Sequence, residues 1–279
     1  NYYKAFYKGE YPSLRKTHSI TTFLQKEKEY KGSQKYLDDK KYWKYTYNHQ
    51  RNYSFPAGKR AIHGSADSSH CFIEKEMYDK LRNVCHEHSC SVQFSLMAVA
   101  ALTVNKLTGE DNFAIYSLTH GRNTYPLKQT LGCMMNTVPI FFDINLQESF
   151  KSYLDTQYIN YLDTLDHGRF PMGDQVPLSY KEPIRHYFNF NHGWLLFSAM
   201  DFGKEIHNSS FEPSLLTSTN IPHQFYCAIL EVPGEYIKIS LTYQKKKFNA
   251  TLIGNILDTY KKLLGRCLSE PEKTIKDII

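Results

Sequence analysis

The sequence predicts an α+β fold, a mixed β-sheet covered by helices, and three observations predict it. Helical and strand-like segments are interspersed without the regular βαβ alternation that builds a parallel sheet. One window, VQFSLMAVAALTVNKL (92–107), is apolar nearly all round, as a helix buried on most sides must be. Short apolar runs bounded by turn residues, NFAIYSL, TVPIFFDI, QFYCAILE and EYIKISLTY, suit strands of one sheet. At 279 residues, 41% hydrophobic and 22% charged, the chain has the composition of an ordered globular protein rather than a disordered one.

The elements follow in order. Two helices are predicted over Ser19–Lys31 and Ser33–Tyr47, each with a serine placed to cap it. NYSFPAGKRAIHGSADSS, rich in Gly, Ser and Pro, reads as a loop and linker. It divides leading helices in 1–60 from a main unit in 61–279. HCFIE is a short strand, followed by a helix with Met77, Leu81, Val84, Cys85 and His88 inward. Gly109 ends the apolar helix. Ser149 caps a further helix with Phe150, Tyr153, Leu154, Tyr158, Tyr161, Leu162 and Leu165 on one face. RHYFNFN reads as a strand. Val-Pro-Gly between the last two strands suits a type II turn. In the second of these, Lys238, Ser240 and Thr242 form a wet face. Asn249 caps the final helix, and Gly265 is placed at its end.

Composition bounds the function. A net charge of +6, concentrated in the first 60 residues, fits a solvated helix face or an acidic carrier docked there. With no nucleic-acid motif beside it, it does not argue for nucleic acid. Six scattered cysteines suggest reduced thiols and a cytoplasmic setting. No apolar run approaches the length of a membrane span. Asn1 stands inside what reads as the end of a helix, so the chain is expected to be cut from something longer.

Local catalytic patterns are few. CHEHSC (85–90) offers four metal-ligating side chains but lacks the paired knuckle and a second cluster, so it reads as a helix end and no metal is expected. His63-Gly-Ser-Ala-Asp67 has HxxxD spacing in a Gly/Ser loop, where nothing holds the ring of a base. A G-x-S-x-G elbow and a glycine-rich phosphate loop are both absent from the sequence. Three turns, LTHGRN, LDHGRFP and FNHGW, stand at the ends of packed elements, where sites are commonly built.

The order of these turns resembles the C-terminal half of the condensation domains of nonribosomal peptide synthetases, within the chloramphenicol-acetyltransferase-like acyltransferases. LTGEDNFAIYSLTHGRN is similar to the family's strand and Gly-Arg turn, at Gly121 and Arg122. LGCMMNTVPIFF resembles its Gly-…-Asn-Thr motif at Gly132, Asn136 and Thr137, and LDHGRFP its H-Q-D-Y-P-F motif at His167, Phe170 and Pro171. YYKAFYKGEYPS resembles the helix after the catalytic loop. The closing strand and last helix are similar as well.

The resemblance implies a chloramphenicol-acetyltransferase-like subdomain in which residues 119–139 border a substrate tunnel. Partners would be the N-terminal half of the domain, peptidyl carrier proteins and an adjacent adenylation domain. No cofactor would bind directly, the carriers' phosphopantetheine arms reaching the centre instead. The catalytic HHxxxDG of the family is absent here, so no catalytic residue is expected in this chain. His167 reads as a packing or helix-end residue, and Asn136 and Thr137 as orienting or capping groups. Phe141 stands where the family usually has Arg, and the arginine-rich element before RHYFNFN is not recognisable. A coenzyme A-dependent acyltransferase and a non-catalytic carrier-docking module remain alternatives. The face meant for the N-terminal half is expected to be apolar and prone to self-association.

Overall fold

The computed structural model describes residues 18–49, 64–119, 121–122, 124–175, 195–198, 220–221, 225–232, 234–246 and 248–279, with isolated positions at 8–9, 11 and 178. YYKAFYKGEYPS falls almost wholly outside the described residues; His63, His120, the RHYFNFN strand and the FNHGW turn lie wholly outside them.

In chain order the elements are α1 (Ile20–Lys31), α2 (Gln34–His49), β1 (Gly64–Ile73), α3 (Lys75–Glu87), α4 (Val92–Thr108), β2 (Asn112–Thr119), α5 (Tyr125–Lys128) and β3 (Asn136–Asp143). Then come α6 (Phe150–Asp166), α7 (Met172–Gln175), β4 (Leu195–Ser198), β5 (Asn220–Ile221), β6 (Phe225–Val232), β7 (Tyr236–Gln244), α8 (Ala250–Ser269) and α9 (Ile275–Ile278). The described strands form one mixed sheet in the order β3-β2-β4-β6-β7-β1-β5. The pairs β2/β4 and β4/β6 are parallel and the other pairs antiparallel.

Capping sets most helix starts where the sequence places them. Ser19, Ser91, Ser149 and Asn249 each accept a backbone N–H of the first turn, and Ser33 Oγ accepts from Tyr36 N at 3.3 Å. α4 is buried from Phe94 to Asn105 and packs among α3, α6 and α8. Two buried tyrosines satisfy their hydroxyls on its carbonyls: Tyr153 donates to Ala98 O (3.2 Å) and Tyr260 to Leu96 O (3.0 Å). Burial pushes both phenols well above their ordinary range. The Val232–Glu235 turn closes through Glu235 N–H to Val232 O at 3.0 Å, with Gly234 at φ +78° in the third position, as a type II turn requires.

Four local expectations are corrected. The Gly/Ser stretch is strand from Gly64, because Ala66–Ile73 pairs residue by residue with Gln244–Ile237. Asp67 therefore sits in a strand, beside Lys245 at 3.4 Å, rather than in a loop. Thr242 is buried rather than wet, and its hydroxyl lies 2.9 Å from Ser68 Oγ on β1. On α6 the buried stripe is rotated: Gln157 and Thr164 are inside, while Leu162 is 48% exposed. The polar pair is held by Gln157 Nε2 donating to Asp143 O (3.0 Å) and by Tyr42 Oη, 3.1 Å from Thr164 Oγ1. α8 runs through Gly265 to Ser269 because Cys267 and Leu268 continue its buried stripe toward Ile275 and Ile278. On α3, Tyr78 is buried with its hydroxyl on Glu231, a partner that periodicity alone does not reveal.

Candidate functional site: two braced loops at one end of the sheet

β2 ends and β3 begins at the same end of the sheet, so the connection between them, 120–135, must turn back on itself there. Two glycines make this possible. Gly121 has φ +65°, and a Cβ on it would lie 2.2 Å from the backbone oxygen of Met134. Gly132 has φ +144°, and a Cβ would meet Ile20 Cδ1 at 2.4 Å. Gly121 combines left-handed backbone with close approach to another backbone, which glycine alone tolerates; at Gly132 the positive φ is the constraint, since the Ile20 methyl can move aside.

Arg122 holds this connection closed. Its Nη1 donates to Leu127 O (2.9 Å) and to Thr130 O, and its Nη2 to Gly132 O (2.6 Å). A guanidinium can serve three carbonyls because its N–H donors are fixed in a plane. The side chain thus faces its own loop. His18 N–H donates to Gln129 O at 3.2 Å and ties the chain before α1 to the same connection. Arg122→Ala is expected to cost about 2 kcal/mol and to open residues 124–135 to limited proteolysis. Arg122→Lys should recover less than half of that in urea unfolding, since an ammonium cannot span the three acceptors.

Asn136, the first residue of β3, braces a second loop. Its Nδ2 donates to Gly168 O (2.8 Å) and Phe170 O (2.9 Å), and its Oδ1 accepts from Met172 N (3.0 Å). Thr119 Oγ1 donates to Asn136 O at 3.3 Å, joining the two loops. Thr137 is half-buried and pairs with Leu118 in the ladder. Phe170 is fully buried, its ring centroid 5.0 Å from that of Tyr36 on α2. Pro171 O accepts from Asp174 N (2.9 Å) and Gln175 N (3.0 Å), which starts α7.

His167 follows the last turn of α6. Its Nδ1 lies 2.7 Å from Asp39 Oδ1, its ring stacks on Tyr42 at 3.9 Å, and its carbonyl accepts from Trp43 Nε1 (3.0 Å). Asp39 is fully buried. It also accepts from Tyr30 Oη (2.6 Å) and Lys35 Nζ (3.1 Å), which compensates a charge that would otherwise be costly to bury. Burial first, then the Asp39 hydrogen bond, pushes the Tyr30 phenol far above its ordinary range. Arg169 covers the Tyr30 ring at 4.2 Å and donates to Glu27 Oε1 (3.1 Å) and Lys26 O (2.7 Å).

The structure therefore gathers Gly121, Arg122, Gly132, Asn136, His167, Phe170 and Pro171 into two linked loops, each held by internal hydrogen bonds or packing. Sequence reasoning missed Tyr30, Asp39, Tyr42 and Trp43, which lock α1 and α2 onto this end. One signal was available: Tyr36, Trp43 and Tyr47 fall on one helical face of α2. Phe141 lines an open groove of about 240 Å³ with Tyr42, Thr46, Asp143, Gln157 and Asp163, and its ring meets Tyr47 edge to face. Around the loops Tyr125, Leu131 and Met135 are exposed, Leu131 by 79%, with Ile20 and Leu24 on α1. Among the described residues there is no group of three or more metal-ligating side chains, and no single helix is long and apolar enough to cross a membrane.

Comparison with known proteins shows what the chain as a whole is similar to. The first condensation domain of the calcium-dependent antibiotic synthetase superposes with a TM-score of 0.80 at 13% identity, over 99% of this chain and 60% of that one. SgcC5 from Streptomyces globisporus superposes with a TM-score of 0.78 at 15% identity, over 97% and 64% of the two chains. A plipastatin synthase subunit from Bacillus subtilis (strain 168) is 21% identical over 267 residues, 93% of this chain and 10% of that protein. Gramicidin S synthase 2 of Brevibacillus brevis is 24% identical over 210 residues, 73% of this chain and 5% of its own length. The chain thus spans a small part of these synthetases and about three fifths of the solved condensation domains. The family model described as Condensation domain matches residues 1–279, and the chain belongs to the condensation-domain family.

Proposed function

We propose that the chain is the C-terminal, acceptor-side part of a condensation domain that joins carrier-bound aminoacyl or peptidyl groups in nonribosomal peptide synthesis, in the cytoplasm. The observation that carries this reading is the match along the whole chain, together with motifs in the family's order and the absence of HHxxxDG from the sequence. In the reaction, the amine on one phosphopantetheine arm attacks the thioester carbonyl on the other. The C–N bond forms, the C–S bond breaks, the amine proton passes to a base, and the carrier thiol leaves.

This chain supplies walls and orientation, and the base belongs to the N-terminal half. Aligning two tethered reactants replaces a bimolecular encounter and is worth an effective molarity of up to about 10⁵–10⁸ M, provided the walls do not move. The loops clamped by Arg122 and Asn136 fit that role. On this reading helices α1 and α2 lead in from the N-terminal half, with a boundary near residue 60. The exposed Tyr125, Leu131 and Met135 belong to the face that meets the N-terminal half, and in its absence this face drives self-association.

The test uses carrier proteins loaded with aminoacyl thioesters. The chain alone is expected to give no condensation above background, since a positioned base contributes about 10²–10⁴-fold. Joining it to the segment bearing HHxxxDG should restore turnover. Condensation by the chain alone, abolished by His167→Ala, would overturn the reading. Phe141, in place of the usual Arg, favours a second reading, a carrier-docking module without catalysis. Tight carrier binding with no turnover in the joined protein would establish it.

A further inference from the structure

The CHEHSC segment, set aside as a metal site, carries a different chemistry. The end of α3 is a Schellman motif: Cys90 N–H donates to Cys85 O (2.9 Å) and Ser89 N–H to His86 O (3.2 Å). Ser89 occupies the left-handed position at φ +50°, where glycine is the usual residue. This motif brings the side chains five residues apart together, and here both are cysteines. Their sulfurs converge on one hydroxyl, with Ser95 Oγ 3.2 Å from Cys85 Sγ and 3.1 Å from Cys90 Sγ. Cys85 is buried and Cys90 partly exposed, so one sulfur is reachable and the other waits behind it.

We propose that Cys85 and Cys90 form an oxidisable dithiol, with Cys90 as the attacking thiol and Cys85 as the resolving one. The oxidant class is a low-molecular-weight disulfide such as glutathione disulfide. The Cys90 thiolate attacks one of its sulfurs, the small S–S bond breaks, and one half leaves as a thiolate. Cys85 then gives up its proton and attacks Cys90 Sγ, displacing the second half. Two protein thiols become one disulfide, one small disulfide becomes two thiols, and the two protein protons end on the leaving thiolates.

The surroundings favour this order. The Cys85 S–H hydrogen bond, the Ser95 hydroxyl and the nearby His88 draw the Cys90 thiol down to about 6 against its partial burial. The same shared hydrogen bond and burial push Cys85 up, with Glu231 adding to the rise. Tyr158 on α6 also faces the pair. The His88 ring is itself held, 2.6 Å from Asp155 Oδ1 on α6. At neutral pH the larger thiolate fraction outweighs its lower intrinsic nucleophilicity, leaving a net rate gain of about two- to fivefold over an ordinary thiol.

The native chain is incubated with glutathione disulfide, alkylated and mapped with trypsin. The peptide 83–106 holds both cysteines and no other. It is expected to lose two hydrogens reversibly, while the buried Cys227 and Cys267 stay reduced. Retention of both thiols in that peptide, under conditions where the exposed Cys133 already carries glutathione, would overturn the proposal. In Cys85→Ser, Cys90 should stall as a stable glutathione adduct. In Cys90→Ser, Cys85 should remain unmodified. Adducts formed equally on either single variant, or none on Cys90, would also sink it.

Discussion

Asn136→Ala is expected to lower stability by about 3 kcal/mol, although it removes only a small surface-edge side chain. The amide makes three hydrogen bonds, to Gly168 O, Phe170 O and Met172 N; in alanine Gly168 O and Met172 N–H lose this partner, while Phe170 O keeps Gln175 Nε2 at 2.8 Å. A net hydrogen bond is worth about 1 kcal/mol, and an orphaned buried group costs somewhat more. Asn136→Asp should be no better, because a carboxylate keeps the acceptor for Met172 N–H and turns its other oxygen against two carbonyls. Urea unfolding checks both variants. A midpoint within error of the parent for Asn136→Ala would mean that the 168–172 turn holds itself. On the proposed function the same variant should also slow condensation in the joined protein, since the wall it braces would loosen.

Trp43→Ala is expected to cost about 4 kcal/mol, the range for truncating a buried tryptophan. Trp43 is fully buried although it stands on a leading helix outside the sheet layer. Its indole N–H donates to His167 O, and its ring meets those of Tyr42 and Tyr47. Circular dichroism during urea unfolding is the suitable probe, because the substitution removes a fluorophore. Loss of a single cooperative transition, with α1 and α2 melting first, is the other informative result. A cost below about 1 kcal/mol would show that these helices contribute little to the packed unit.

The helices were largely legible because their signals are local. Ser19, Ser91, Ser149 and Asn249 bond within three residues of themselves, so the cap and its partner sit in one window of sequence. The burial of α4 is written in its composition. The family was legible from the order of the Gly-Arg, Asn-Thr and His-Gly turns, although each of them alone would suit an ordinary bend.

Where sequence reading failed, the deciding partner lay far along the chain. The first half of β1, residues 64–69, looked like a Gly/Ser loop because its strand state comes from partners more than 150 residues on, chiefly β7, whereas its second half, 70–73, read as strand from its own residues. The face of α6 was misjudged because Asp143 O and Tyr42 admit Gln157 and Thr164 to the interior. Asp39 drew no attention in a charged helix, yet it is the buried anion that holds His167 and Tyr30.

The sequence by itself determined the α+β class, the helix starts, the buried central helix and the membership suggested by motif order. All of these follow from propensities and periods that act over a few residues. Only the tertiary structure decided that the motif residues brace one another, and that two cysteines of a rejected metal motif meet on one serine. A hydrogen-bonding side chain carries no mark of its distant partner. Which atoms it satisfies is fixed when the layers pack and every buried polar group must find one.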